Sequence, residues 1–328
     1  MKKRIFLMLP ALLSIALVSC SDDDAVTVSD DDPNANFTAQ VYATSNSDGN
    51  IRQVNLNSDD FTATETQTFL TLSTDAEGIY YDAANDEVTQ ASRSLLQLST
   101  YANISGLDAN ATITASLSSS TDLVSPRDIA VNGDFYVVSD NADVDGDDTT
   151  ADGRFFVYTR DTNGYTLRNT FVVGFKVWGI EFVGNDLYAV VDTTSDLAVF
   201  ENFTSITANT QISPTKRISI EGIGRTHGLG FDGGTMILTD IGDATVDTDG
   251  GFHIITDFVN KFNTTPNGGT LAVAGNQVRV AGNATFLGNP VSVDYDAASN
   301  TVVVAERANN GGRFLVFTNA EAGGNIAP

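Results

Sequence analysis

The chain has 328 residues, 42 acidic against 17 basic side chains, a formal net charge of −25 and one cysteine. So acidic a surface repels nucleic-acid phosphates and anionic lipid headgroups, which excludes both as direct partners. A lone cysteine excludes a disulfide framework and a thiolate metal cluster.

Residues 1–19 read as an export signal. Lys2, Lys3 and Arg4 form a basic start, and residues 5–18 form an apolar run too short for the roughly 20 residues of a membrane span. The run ends in Leu17-Val18-Ser19-Cys20, which resembles the lipobox of bacterial lipoproteins. That resemblance implies that Cys20 becomes the lipidated mature N-terminus, so that a membrane is a partner through the lipid. The plainer alternative is an ordinary secretory signal followed by a buried thiol. Residues 20–36 carry Asp22-Asp23-Asp24 and Asp30-Asp31-Asp32-Pro33 with few bulky apolar residues, the composition of a disordered acidic tether. It resembles the segment that sends some lipoproteins to the outer face of the outer membrane; the alternative is a spacer without sorting content. The expected location is the cell envelope, lipid-anchored in the outer membrane and facing either periplasm or exterior. Loss of the three signal cations takes the formal charge to −28.

Residues 37–328 read as one all-β domain. Val, Ile, Thr, Phe and Tyr occur in short runs cut by Gly, Asn, Asp and Ser, with no sustained helical periodicity. One phrase recurs: Glu77-Gly78-Ile79, Arg127-Asp128-Ile129, Trp178-Gly179-Ile180, His227-Gly228-Leu229 and Val291-Ser292-Val293, with starts 50, 51, 49 and 64 residues apart. Second strands follow at 88–92, 135–140, 187–192, 235–240 and 301–306. Third strands are expected at 155–159, 197–200, 252–256 and 314–318, and fourth strands at 113–117, 167–172, 216–220 and 277–280. Residues 40–45 and 50–56 match a second and third strand with no first strand before them, and little chain follows residue 318 for a last fourth strand. The spacing predicts a six-bladed β-propeller of four-stranded antiparallel blades, with five or seven blades as alternatives, one blade being closed by strands from both termini.

The phrases Gly179-Ile180-Glu181-Phe182 … Leu187-Tyr188-Ala189-Val190-Val191-Asp192 and Asp128-Ile129-Ala130-Val131 … Phe135-Tyr136-Val137-Val138-Ser139-Asp140 resemble NHL-type propeller repeats. They are also similar to repeats of the gluconolactonase and senescence marker protein propellers. The second resemblance implies a divalent metal held by Glu, Asn and Asp at the strand starts, and lactonase chemistry. Glu77 matches that pattern; Arg127 and Trp178 stand where amide or carboxylate ligands belong, which counts against it.

In a propeller the starts of the first strands converge on one mouth. Glu77, Arg127, Trp178, His227 and either Asn289 or Val291 hold that ring here, a set able to grip a small polar or aromatic ligand. The competing reading is mutual neutralisation of Glu77 and Arg127 with Trp178 as a plug. A second ring, Ser92, Asp140, Asp192, Asp240 and Glu306, ends the second strands. It reads as a cation-binding carboxylate ring or, more simply, as acceptors for turn amides. Two long acidic loops carry Asp143, Asp145 and Asp147, and Asp247 and Asp249, at alternate positions suited to Ca²⁺; neither has the EF-hand pattern. No nucleophile elbow, phosphate loop or zinc motif is present. The expected function is non-enzymatic: an anchored binding or scaffold module for a small molecule, a glycan or an envelope protein. A divergent metal-dependent lactonase and a calcium-stabilised adhesin are the alternatives.

Overall fold

The computed structural model describes residues 38–57, 60–147, 149–308 and 312–328. The expected signal, Cys20, the acidic tether and Asp148 lie outside them. Six antiparallel sheets follow one another along the chain. Blade 1 comprises β1 (Thr38–Thr44), β2 (Ile51–Asn57) and β3 (Ala63–Phe69). Blade 2 comprises β4 (Ala76–Asp82), β5 (Glu87–Ser92), β6 (Gln97–Ala102) and β7 (Leu117–Ser118). Blade 3 comprises β8 (Pro126–Asn132), β9 (Phe135–Asp140), β10 (Gly153–Asp161) and β11 (Gly164–Val173). Blade 4 comprises β12 (Val177–Val183), β13 (Asp186–Val191), β14 (Asp196–Phe200) and β15 (Lys216–Ile220). Blade 5 comprises β16 (Leu229–Asp232), β17 (Thr235–Asp240), β18 (Gly251–Ile255) and β20 (Val278–Ala281); between the last two lie helix α1 (Phe258–Thr264) and β19 (Thr270–Leu271), which pairs in parallel with β15 of blade 4. Blade 6 comprises β21 (Pro290–Asp296), β22 (Thr301–Glu306) and β23 (Arg313–Thr318). This is a six-bladed β-propeller.

The second strands explain the short continuous apolar runs of the sequence. Each blade is sandwiched between two neighbours, so both faces of β13 and β17 are buried and alternation disappears. Six apolar clusters fill the six spaces between blades. Phe155, Phe171, Phe182 and Phe200 join blades 3 and 4, for instance. Val303 of blade 6 packs on Ala39, Val41, Val54 and Leu56 of blade 1, which closes the ring.

Closure differs from the expected shared blade. β1 runs toward the mouth: Gln90 donates to the Thr44 hydroxyl, and the Ala76 amide donates to the Ser45 carbonyl at 3.2 Å. β1 therefore has the polarity of a second strand. The outer strands of blades 3, 4 and 5 are each bridged in parallel at their end by a segment of the next blade, Val172 with Gln211, Ile220 with Leu271 and Val280 with Gly324. Leu70, just past β3, bridges Thr112 in the same way. β3 is therefore the outer strand of blade 1 and does not complete blade 6. Two adjacent three-stranded blades result: blade 1 lacks its first strand and blade 6 its fourth among the described residues. The long 64-residue interval between His227 and Val291 is taken up by α1 and β19, which the sequence reading missed.

Candidate functional site

Four of the five mouth positions sit on β-bulges. Pairing of first and second strands shifts register between Ala76 and Ile79, Pro126 and Asp128, Val177 and Ile180, and Pro290 and Ser292. An extra residue at that point turns Glu77, Arg127, Trp178 and Val291 off the ladder and into the mouth. The glycine after the mouth residue lets the next blade's backbone come close. A Cβ on Gly179 would lie 2.5 Å from the His227 carbonyl oxygen, and one on Gly228 would lie 2.7 Å from Ser292 Cα.

The bulges bring the predicted ring residues into one continuous chain of contacts. Arg127 donates to Glu77 at 2.6 Å, and Arg93 stands 3.7 Å from the same carboxylate. The Arg127 guanidinium lies 4.2 Å over the Trp178 ring. His227 stacks on that ring from the other side at 3.8 Å and 3°. His227 Nε2 stands 3.3 Å from Asp192 Oδ1, which Arg225 holds through two N–H groups at 2.7 and 2.9 Å. Both faces of the only Trp are thus covered, and its edge remains toward the mouth. Glu77 and Arg127 are paired, as the competing reading expects. A cavity of about 660 Å³ opens at the mouth, with Glu77, Arg127, Trp178 and His227 on its wall. Of the two candidates for the fifth position, Val291 reaches the cavity and Asn289 is buried away from it.

Electrostatics follow from enclosure. Burial pushes the His227 imidazole below its ordinary range, against the pull of Asp192, so it is neutral at pH 7. Burial alone would raise Asp192, but the His227 and Arg225 contacts outweigh it and hold that carboxyl low. Asp128, in the place of the repeat glycine, is pushed up to about 7 by burial despite accepting from the Ile180 and Ile129 amides. His253, the other imidazole, is fully buried and bonded to Gln277.

The second ring is a set of latches with one exception. Asp140 accepts from the Val124 and Ser125 amides, Asp240 from Gly224 and Arg225, and Glu306 from Gly288 and Asn289. Each ties down the segment leading into its own blade's first strand, and Ser92 makes a smaller version with Ser73. Asp192 reaches across to Arg225 and His227 of the next blade instead. Sequence could not single it out, because its neighbours in the repeat are the same residue type.

The acidic loops assemble differently from expectation. Asp143 and Asp145 meet Asp152, a residue the sequence reading passed over, with ligand oxygens within 4.8 Å of one another. Asp147 instead accepts from the Thr149 amide at 3.0 Å. Asp249 accepts from the Asp243 amide, and the Asp247–Asp249 loop gathers no comparable trio among the described residues. Asp152 already accepts from the Val144 amide, and with one oxygen from each carboxylate the trio would need further oxygens from backbone or water to reach the six to eight Ca²⁺ takes. The lactonase-type metal ring does not fit either: the one matching ligand, Glu77, is held by a guanidinium.

No family model matches the chain, and no curated protein matches it. Among solved structures it is similar to a chain of a nidogen/laminin complex at 15% identity, covering 89% of this chain and 94% of that one with a TM-score of 0.56. It also resembles a functionally unknown protein from Desulfotomaculum acetoxidans at 13% identity, 81% and 72% coverage and a TM-score of 0.49. At such identities the first likeness supports the propeller fold, and only the fold.

Proposed function

We propose that this propeller is a binding module whose ligand seats in the channel mouth, against Glu77, Arg127 and the edge of Trp178. The observation that supports the reading is the bulge-presented chain Glu77–Arg127–Trp178–His227–Asp192–Arg225 on the wall of a cavity of about 660 Å³, a size suited to small ligands. An adjacent carboxylate and guanidinium offer acceptors and donors side by side. That pairing suits a small polyhydroxylated ligand of the sugar type better than a simple anion. With the lipobox-like start, the module would act at the cell envelope on a lipid anchor.

A thermal-shift screen of the domain from residue 38 onward against neutral and acidic mono- and disaccharides tests this. A saturable rise in Tm that Arg127→Ala and Glu77→Gln abolish is the expected result. Stoichiometric divalent metal in the purified domain, lost in Glu77→Ala, would favour the lactonase-like alternative and overturn it.

A further inference from the structure

Exposed apolar side chains gather on one face of the propeller. Seven large apolar residues are exposed among the described residues. Six of them, Leu70, Leu72, Leu96, Val124, Val246 and Phe286, lie on mouth-side segments: the links into the first strands of blades 2, 3 and 6, and the turns after β5 and β17. The seventh, Val259 of α1, lies between the third and fourth strands of blade 5, at the other end. A single exposed Leu or Val needs no explanation; so one-sided a distribution does. Three of the six adjoin. The Thr74 amide donates to the Ser94 hydroxyl at 2.9 Å and the Leu123 amide to the Leu96 carbonyl at 3.1 Å, which sets the segments of Leu72, Leu96 and Val124 side by side. Leu72 and Val124 are 71% and 51% exposed, so they belong to the surface and not to the core.

The same face carries two long acidic loops, 141–152 after β9 and 241–250 after β17. They hold Asp143, Asp145 and Asp147, and Asp243, Asp247 and Asp249, with no Lys or Arg in either. These charges choose among the possible occupants. A second copy docking mouth to mouth would set acidic loops against acidic loops, and an anionic lipid surface would be repelled. A protein that presents apolar side chains between basic ones is attracted by both features.

We propose that the mouth face is a docking surface for a protein with such a basic, apolar-centred patch. Leu72, Leu96 and Val124 meet its apolar groups, and the loops of blades 3 and 5 meet its cations. Those loops stand two blades apart, so the partner spans the mouth and covers the cavity. Docking requires no ligand in the cavity, so this inference and the ligand reading succeed or fail separately.

Photo-crosslinking in the cells that make the protein tests it, with benzoyl-phenylalanine substituted in turn for Val124, Val246 and Val259 of the full chain. Positions 124 and 246 should capture one and the same protein, and position 259 none of it. That protein, purified, should bind the full chain with an affinity that falls as salt is raised. Leu72→Ser with Val124→Ser should weaken binding roughly tenfold or more at unchanged Tm. Asp143→Asn, Asp145→Asn and Asp147→Asn together should reduce the salt dependence. Capture of a second copy, of lipid or of nothing at positions 124 and 246 would overturn the proposal. So would equal capture at position 259, or an affinity indifferent to the two serines.

Discussion

Gly179 decides whether Trp178 and His227 can stack. Its Cβ would collide with the His227 carbonyl oxygen at 2.5 Å, a backbone atom that cannot swing aside. Gly179→Ala is expected to cost about 1–3 kcal/mol and to part the two rings, checked by chemical denaturation with Trp emission as the probe. Asp128 makes a second residue-level prediction. Its carboxyl is raised to about 7 in the fold against an ordinary value of 3.8, so the folded state holds a proton that the unfolded state has released. Stability from this group is present below pH 4 and is lost as pH rises from about 4 to 7. Asp128→Asn should therefore flatten that decline and gain on the order of 1–3 kcal/mol relative to wild type at pH 8. A variant with the wild-type slope would show that Asp128 is ionised in the fold. His227 has the opposite sign: lowered by burial, it makes stability fall as pH drops through the ordinary imidazole range.

At the scale of elements, the first strands divide labour between the bulge, which presents a side chain, and the second strand, which ends on a latch. Asp240 alone accepts from the Gly224, Arg225 and Gly242 amides. Asp240→Ala strands three donors and is expected to cost about 2–3 kcal/mol, read as a fall in Tm, with ligand affinity little changed. Asp192→Asn should show the reverse balance, because Asp192 grips the side chains of Arg225 and His227 rather than the amides leading into its own blade. This division was half legible in the sequence. Gly78, Gly179 and Gly228 recur because blade backbones cross closely there, and terminal acids recur because the connecting amides need acceptors. Asp192 carries the same letter for a different purpose, and only its partners reveal it. Asp152 joining Asp143 and Asp145 was equally hidden, since the contact arises when the loop folds back on itself. The helix Phe258–Thr264 is too short to raise a periodic signal and is held by Phe258 and Phe262 in the space between blades 4 and 5.

For the whole molecule, the period near 50 residues was enough to predict six blades, because each interval must supply four strands and their turns. How the ring closes was not legible. Residues 63–69 are polar and mostly exposed, so nothing in their composition assigns them to one blade over its neighbour; the parallel bridge from Leu70 to Thr112 does. The consequence is a mouth whose chain of contacts runs around blades 2 to 5, with no first strand in blade 1 among the described residues. The proposed ligand site lies along that chain of contacts, where Trp178 serves as its own reporter, being the only Trp in the chain. Titrating saccharides while recording intrinsic Trp fluorescence therefore tests the central claim most directly. A saturable change in emission with a ligand that also raises Tm, absent in Glu77→Gln and Arg127→Ala, is predicted; such a ligand leaving Trp178 emission unchanged, or changing it equally in both variants, would contradict the account.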